Sequence, residues 1–255
     1  MLKMNLALVI ALMSNVVVAE EMKPWETEVD LGAITTSGNT NATSIHAKVD
    51  AKQHLDRWNN EYIASSLYKN DEAVQPDGTK VKEKTAEKYF GSIKSAYSLS
   101  DEKKSYLFGF VSDAHDKFGA YKNYAIAAVG YGNWLYSTPS VNWFAEIGPG
   151  YFRGERVIQT GDVNTPYLYE IEQGALLRLA SELEWKFTST ATFKQLFSIE
   201  TGSNNTRSTS ETSVAASISN AMQMKVAVTV ASDSTVAPGK EKTDTTTSVT
   251  LVYKF

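Results

Sequence analysis

The sequence predicts an all-β fold, a single antiparallel up-and-down transmembrane β-barrel of about twelve strands. Three observations predict it. Segments of roughly ten residues alternate apolar and polar along most of the chain, longer than the five or six usual in a soluble sandwich and suited to a tilted membrane crossing. The links between segments alternate as well, tight and then long, as in barrels with short periplasmic turns and longer extracellular loops. Finally, all five tryptophans fall at the end of the segments where the tight links lie.

At the amino end, Lys3 precedes the apolar run Leu6 to Met13, and Val16-Val17-Val18-Ala19 precedes Glu20-Glu21. A positive start, an apolar centre and small residues before a cut are the parts of a secretory signal peptide, so residues 1–19 are expected to be removed after Ala19, leaving a barrel over residues 20–255. A membrane anchor is the alternative. The run is interrupted by Ser14-Asn15 and falls short of the ~20 apolar residues that a spanning helix needs.

The chain has no cysteine, which excludes a disulfide framework and thiolate metal sites. Its histidines, His46, His54 and His115, are too scattered for a metal centre, and no cofactor is expected. Charges of both signs are interspersed, with no basic block of the kind that binds nucleic acid. Mean hydropathy is −0.28, which in most chains argues for solubility. A barrel with a polar interior escapes that inference, because only every second residue meets lipid.

Taken in order, Trp25, Val29, Leu31 and Ala33 share a face opposite Glu26, Glu28 and Asp30, and the turn formers Ser37 to Asn41 follow. Ile45, Ala47, Val49 and Ala51 then alternate with His46, Lys48, Asp50, Lys52 and His54. After the tight Asp56-Arg57 link, Tyr62, Ala64 and Tyr68 oppose Glu61 and Lys69, and a long charged connection is expected over 70–84. Tyr89, Gly91, Ile93 and Tyr97 oppose Lys88 and Lys94. Beyond the turn 100–104, Tyr106, Phe108, Phe110 and Ala114 oppose Asp113, His115 and Lys117.

The segment 124–136 is apolar on both faces, so its register is open. Trp143, Ala145 and Ile147 oppose Glu146, and Gly148-Pro149-Gly150 suggests a bulge or bend. A second long polar connection is expected over 155–166. Leu177, Leu179, Leu183 and Trp185 then oppose Arg178, Glu182, Glu184 and Lys186, and Phe193, Phe197 and Ile199 mark the next strand. Val214, Ala216 and Ile218 precede a turn at Asn220-Ala221, and Met224, Val226, Val228 and Val230 alternate with Lys225, Thr229 and Asp233. In the last segment Thr247, Val249, Leu251, Tyr253 and Phe255 oppose Ser248, Thr250 and Lys254. This end resembles the closing strand of outer-membrane barrels, whose assembly machinery reads a terminal aromatic.

Closure follows from the solvent. Unpaired backbone groups in hydrocarbon cost several kcal/mol each, so strands crossing a bilayer form a ring without edges. The charged phase then faces inward, and the expected lumen-lining residues are Glu28, Asp30, His46, Lys48, Asp50, Lys52, Glu61, Lys94, Asp113, His115, Glu146, Arg178, Glu182 and Glu184. An aromatic belt at one interface is expected from Trp25, Trp58, Trp134, Trp143, Trp185, Tyr253 and Phe255, joined by Tyr106.

Leu31-Gly32 through Thr36-Ser37-Gly38-Asn39-Thr40 to Ser44, Glu146 through Gly148-Pro149-Gly150-Tyr151, Ser198-Ile199-Glu200 with Gly202, and the Val252-Tyr253-Lys254-Phe255 end together carry a resemblance. The chain resembles the YdiY-like family of salt-induced outer-membrane proteins, a domain of unknown function. That resemblance implies the outer membrane of a Gram-negative bacterium and a link to salt or acid stress, and it carries over no catalytic residue.

Function then divides three ways. A narrow channel for small ions or solutes, or a closed structural barrel, follows from a lumen holding both signs of charge at a strand number between filled and aqueous barrels. A surface barrel would act through its long loops. A lipid hydrolase would need outward His and Ser within hydrogen-bond reach, and the histidines share faces with Lys and Asp. The expected partners are outer-membrane lipid, the assembly machinery acting on the strand that ends in Phe255, and small solutes.

Overall fold

The structure, a computed structural model, describes residues 24–36, 42–74, 80–100, 104–159 and 167–255. The expected signal peptide and the turn 37–41 lie outside these residues. Twelve antiparallel strands follow one another: β1 (Trp25–Thr36), β2 (Ala42–His54), β3 (Trp58–Val74), β4 (Lys80–Ser98), β5 (Ser105–Asp116), β6 (Tyr121–Ser137), β7 (Val141–Gln159), β8 (Leu168–Lys186), β9 (Ala191–Gly202), β10 (Thr206–Ser217), β11 (Met222–Asp233) and β12 (Thr243–Lys254). Each pairs with its sequence neighbours, and β12 pairs with β1, so the sheet is a closed barrel. At the seam Glu28 lies opposite Lys254 and Leu31 opposite Leu251, which keeps charged residues on one face and apolar residues on the other.

The two faces are inverted relative to a soluble protein. Leu31, Ile45, Ile93, Leu107, Val129, Ile147, Leu179, Val226 and Leu251 are exposed on the outer wall, while Asp30, Asp50, Glu146 and Arg178 are buried within the ring. An apolar exterior of this extent is stable only against lipid, and closure is what leaves no backbone edge there.

Three expectations about local structure are corrected. The long connections are shorter than expected: β3 runs to Val74 and β4 begins at Lys80, and 155–159 belong to β7. Their polar residues form strand rather than loop, because cross-strand pairs such as Thr85 with Asp71 and Arg156 with Glu170 stabilise polar walls that rise beyond the apolar girdle.

The Gly148-Pro149-Gly150 stretch carries no bulge. Its residues pair in unbroken register with Arg178, Leu177 and Leu176. The glycines serve close approach instead: a Cβ on Gly148 would lie 2.1 Å from the Val129 carbonyl oxygen, and one on Gly130 2.7 Å from the Gly148 Cα. Register shifts fall near both ends of β6, between Tyr121 and Asn123 and between Trp134 and Tyr136, and also on β3 between Lys69 and Asn70 and on β7 between Val157 and Gln159. Tyr124, Ile126 and Ala128 point inward and Val129 and Tyr131 outward, which settles the register that the sequence left open.

Candidate functional site

Among the described residues the lumen gathers charged side chains from several strands, and they meet across it. Lys52 on β2 lies 4.0 Å from Glu182 on β8. These strands are six apart in a ring of twelve, so they stand on opposite walls. One lysine and one glutamate thus bridge the full width. Around that bridge, Lys52 also lies 3.7 Å from Glu61, Lys94 lies 3.5 Å from Glu61, and Lys194 lies 2.7 Å from Glu182.

Glu146 is the hub on the facing wall, its side chain only 1% exposed. It accepts from Lys94 at 3.1 Å, from the Tyr106 hydroxyl at 2.9 Å and from Arg178 at 3.4 Å. Gly132 permits this geometry, since a Cβ there would collide with the Tyr106 ring at 2.2 Å. Other predicted lumen residues pair more locally: Glu28 with Lys254 at 2.6 Å, Asp30 with Lys225, and Lys48 with Asp50 at 3.5 Å. His46 is half-buried and its Nδ1 has no hydrogen-bond partner among the described residues. Glu184 shares the inward phase but makes no ion pair among the described residues.

Above this charged layer, on the side of the long connections, an aromatic and aliphatic cluster packs into the lumen. Tyr121, Tyr124, Ile126 and Ala128 of β6 pack with Ala120, Phe152 of β7 and Leu176 of β8. Arg207 of β10 reaches over the Tyr124 ring at 4.5 Å while holding Asp233 through two contacts of 3.1 Å, and Arg178 stacks over Phe110 at 4.1 Å. Cations over ring faces add to packing where water is excluded.

The segment 234–242 between β11 and β12 crosses the mouth. Val236 packs on the aromatic cluster and Ala237 is 2% exposed. The Lys240 N–H donates to the Ala237 carbonyl across Pro238-Gly239, with Gly239 at φ 81°, a type II turn that requires glycine at its third position. That turn aims the Lys240 ammonium at the backbone carbonyls of Phe118 and Gly119, in the link between β5 and β6 on the opposite wall. Burial lowers the pKa of Lys240, opposed by the charges of Asp116 and Asp244. At the base of the segment, Asn205 donates to Asp233 at 2.8 Å and accepts from Ser234 and Thr235 at 3.0 Å.

On the side of the tight turns the lumen stays open as a cavity of about 370 Å³, with the Lys52, Glu61, Lys94 and Glu182 layer as its floor and Trp134, Tyr106 and Phe144 along one wall. A groove of about 560 Å³ on the outer wall, lined by Ile93, Val111, Val129 and Tyr151, belongs to the lipid-facing girdle.

Asp113 and His115 correct the expected lumen list. Asp113 is exposed on the same face of β5 as Leu107 and Val111, opposite the outward Gly91, and His115 shares that face. Tyr106, Phe108 and Phe110 turn inward instead and fill the lumen. Both faces of β5 are apolar over its first half, so the charges suggested the wrong phase. Near the strand end, an outward charge costs only ~0–1 kcal/mol. His115 Nδ1 lies 2.7 Å from Asn123, whose amide donates to Glu155 at 2.9 Å. Along the chain His115 lies between Asp113 and Lys117 on the outward phase, and Tyr89 on β4 and Asn123 on β6 stand beside it.

The belt needs one correction of the same kind. Trp25, Trp58, Trp143, Trp185, Tyr253 and Phe255 are exposed on the outer wall at the tight-turn end. Trp58 meets Tyr97 with ring centroids 5.1 Å apart, Tyr253 meets Phe255 at 4.5 Å, and the Trp143 indole donates to Ser181 at 2.9 Å. Trp134 has the expected height but turns inward, packing edge-on against Phe144 at 5.1 Å, as the adjacent β6 irregularity allows. Tyr106 likewise leaves the belt for the lumen. Sequence reasoning passed over Lys194, Tyr121, Tyr124, Phe152, Arg207 and Lys240. Lys194 was legible from its alternation with Phe193, whereas Lys240 carries no periodic signal at all.

Comparison with known proteins places the chain in its family. The family described as "Protein of unknown function, DUF481" matches residues 29–255, almost the whole barrel. The chain belongs to the DUF481 family. A relative within reach is "Uncharacterized protein YdiY" of Escherichia coli (strain K12), 27% identical over 240 residues, covering 93% of this chain and 86% of that protein. Among solved structures, the NanC porin superposes with a TM-score of 0.50 at 10% identity, covering 89% of this chain and 98% of its own. The translocator domain of the autotransporter NalP from Neisseria meningitidis superposes with a TM-score of 0.48 at 11% identity, covering 98% and 92%. At such identities the NanC likeness speaks for the barrel fold that this DUF481 chain shares, and for nothing finer.

Proposed function

We propose that this chain is an integral outer-membrane barrel whose lumen is sealed at rest on the outer side and open toward the periplasm, and that it passes, at most, small ions or solutes when the seal loosens. The observation that carries this reading is the Lys52 to Glu182 bridge between opposite walls, beneath an aromatic layer and a mouth-crossing segment latched by Lys240. Short turns are periplasmic and longer connections extracellular in such barrels, which supplies the orientation. A signal peptide over residues 1–19 and recognition of the strand ending in Phe255 by the assembly machinery complete the route. The seal depends on ion pairs, so a link to salt or acid stress has a physical basis here, although buried pairs are screened less than exposed ones. A surface-binding role is the second reading, favoured by the polar walls that β3 and β4 raise beyond the girdle.

The test is location and sidedness. A short epitope inserted at Gly239, in a Gram-negative host, is expected to fractionate with the outer membrane and to be detected on intact cells. Recovery of the protein in the soluble fraction, or an epitope reached only after lysis, contradicts the proposal.

A further inference from the structure

The open cavity at the tight-turn end has a composition that a mere gap between side chains would not need. Its volume of about 370 Å³ is more than ten times the ~30 Å³ share of one water and lies in the range of small-molecule pockets. One wall is aromatic, built from Trp134, Tyr106 and Phe144. Among the lining residues, Lys52 and Lys94 share Glu61 and Glu182 as their acidic neighbours.

The lysines are not held alike. Lys94 is pinned by Glu146 at 3.1 Å and by Glu61 at 3.5 Å, with its ammonium 4.7 Å from the Phe144 ring centre and its side chain 17% exposed. Lys52 has only the longer contacts, 3.7 Å and 4.0 Å, and its side chain is 33% exposed. Both acids that Lys52 touches keep another cation if it turns away: Glu182 retains Lys194 at 2.7 Å and Glu61 retains Lys94. An anion can therefore take Lys52 without leaving a buried carboxylate alone, which is the outcome that would make such an exchange costly.

We propose that this cavity is a binding site for small organic anions that carry a flat ring, with the carboxylate on Lys52 and the ring against Trp134 and Phe144. Occupancy withdraws Lys52 from Glu182 and so removes the bridge between β2 and β8. The site depends on the sealed-barrel reading only for the side from which the ligand arrives.

The experiment is titration calorimetry on the folded barrel in detergent, with benzoate as the probe, benzamide as its uncharged match and acetate as the anion without a ring. Benzoate is expected to bind saturably and at least tenfold more tightly than either comparator. Lys52→Met and Trp134→Leu are each expected to weaken benzoate tenfold or more, while Lys69→Ala, at the far end of β3 from the cavity, leaves it within twofold. Each variant is first checked for the heat-modifiable gel mobility of a closed barrel, so that two independent substitutions guard against a misfolded one. Equal binding of benzoate and benzamide, indifference to both cavity substitutions, or no saturable benzoate heat overturns the proposal. Ion conductance is a separate reading, so failure of the seal and failure of this site are distinguishable.

Discussion

Glu146 shows what a single buried charge does in this interior. Three donors converge on it from β4, β5 and β8, and Lys94 and Arg178 fall back only on longer contacts to Glu61 and Glu200 when it is lost. Glu146→Gln is expected to lower stability to urea in detergent by about 3 kcal/mol, whereas Glu184→Gln on the same inward phase changes it by less than ~1 kcal/mol. Equal sensitivity would mean that the hub is incidental. Inside and outside differ at this scale too. Val228 is exposed on the lipid wall, so Val228→Arg is expected to cost about 2–4 kcal/mol near the midplane. Alternation alone suggests that Lys225→Ala is harmless, but Lys225 pairs with Asp30, which is 2% exposed. Its loss is therefore expected to destabilise by about 3 kcal/mol as well, and refolding yields of the two variants against wild type check both statements.

At the scale of the element, strand existence was legible and strand phase was not always so. β2, β8, β11 and β12 carry their charges on one face only, and period two assigns them without ambiguity. β5 and β6 are apolar on both faces because their inner faces pack against each other and against Phe152 rather than water. That is why Asp113, His115, Trp134 and Tyr106 were each assigned to the wrong side. The glycines of β6 and β7 are the part of this packing most open to test. Gly148→Ala places a Cβ 2.1 Å from a backbone oxygen, while Gly109→Ala meets nothing within 4 Å. Gly148→Ala is expected to abolish the heat-modifiable folded band and Gly109→Ala to preserve it. Survival of both would show that β6 and β7 can separate without cost.

Across the whole molecule, the strand number, the closure of β12 onto β1 and the sorting of most belt aromatics follow from alternation, link parity and the terminal aromatic, all local signals. The seal is different in kind. It depends on residues brought together from opposite walls, Lys52 with Glu182 and Lys240 with the Phe118 and Gly119 carbonyls, and no period in the sequence relates such positions. A barrel of this strand number stands between one filled by its own side chains and one that conducts water, so pairing decides which it is. Single-channel recording in a planar bilayer addresses that directly. Wild-type barrel at neutral pH is expected to show no lasting conductance, and a variant with Tyr121→Ala, Tyr124→Ala, Phe152→Ala and residues 236–240 replaced by glycine and serine is expected to show discrete openings. A steady open level in the wild type, no larger in that variant, would contradict the sealed lumen.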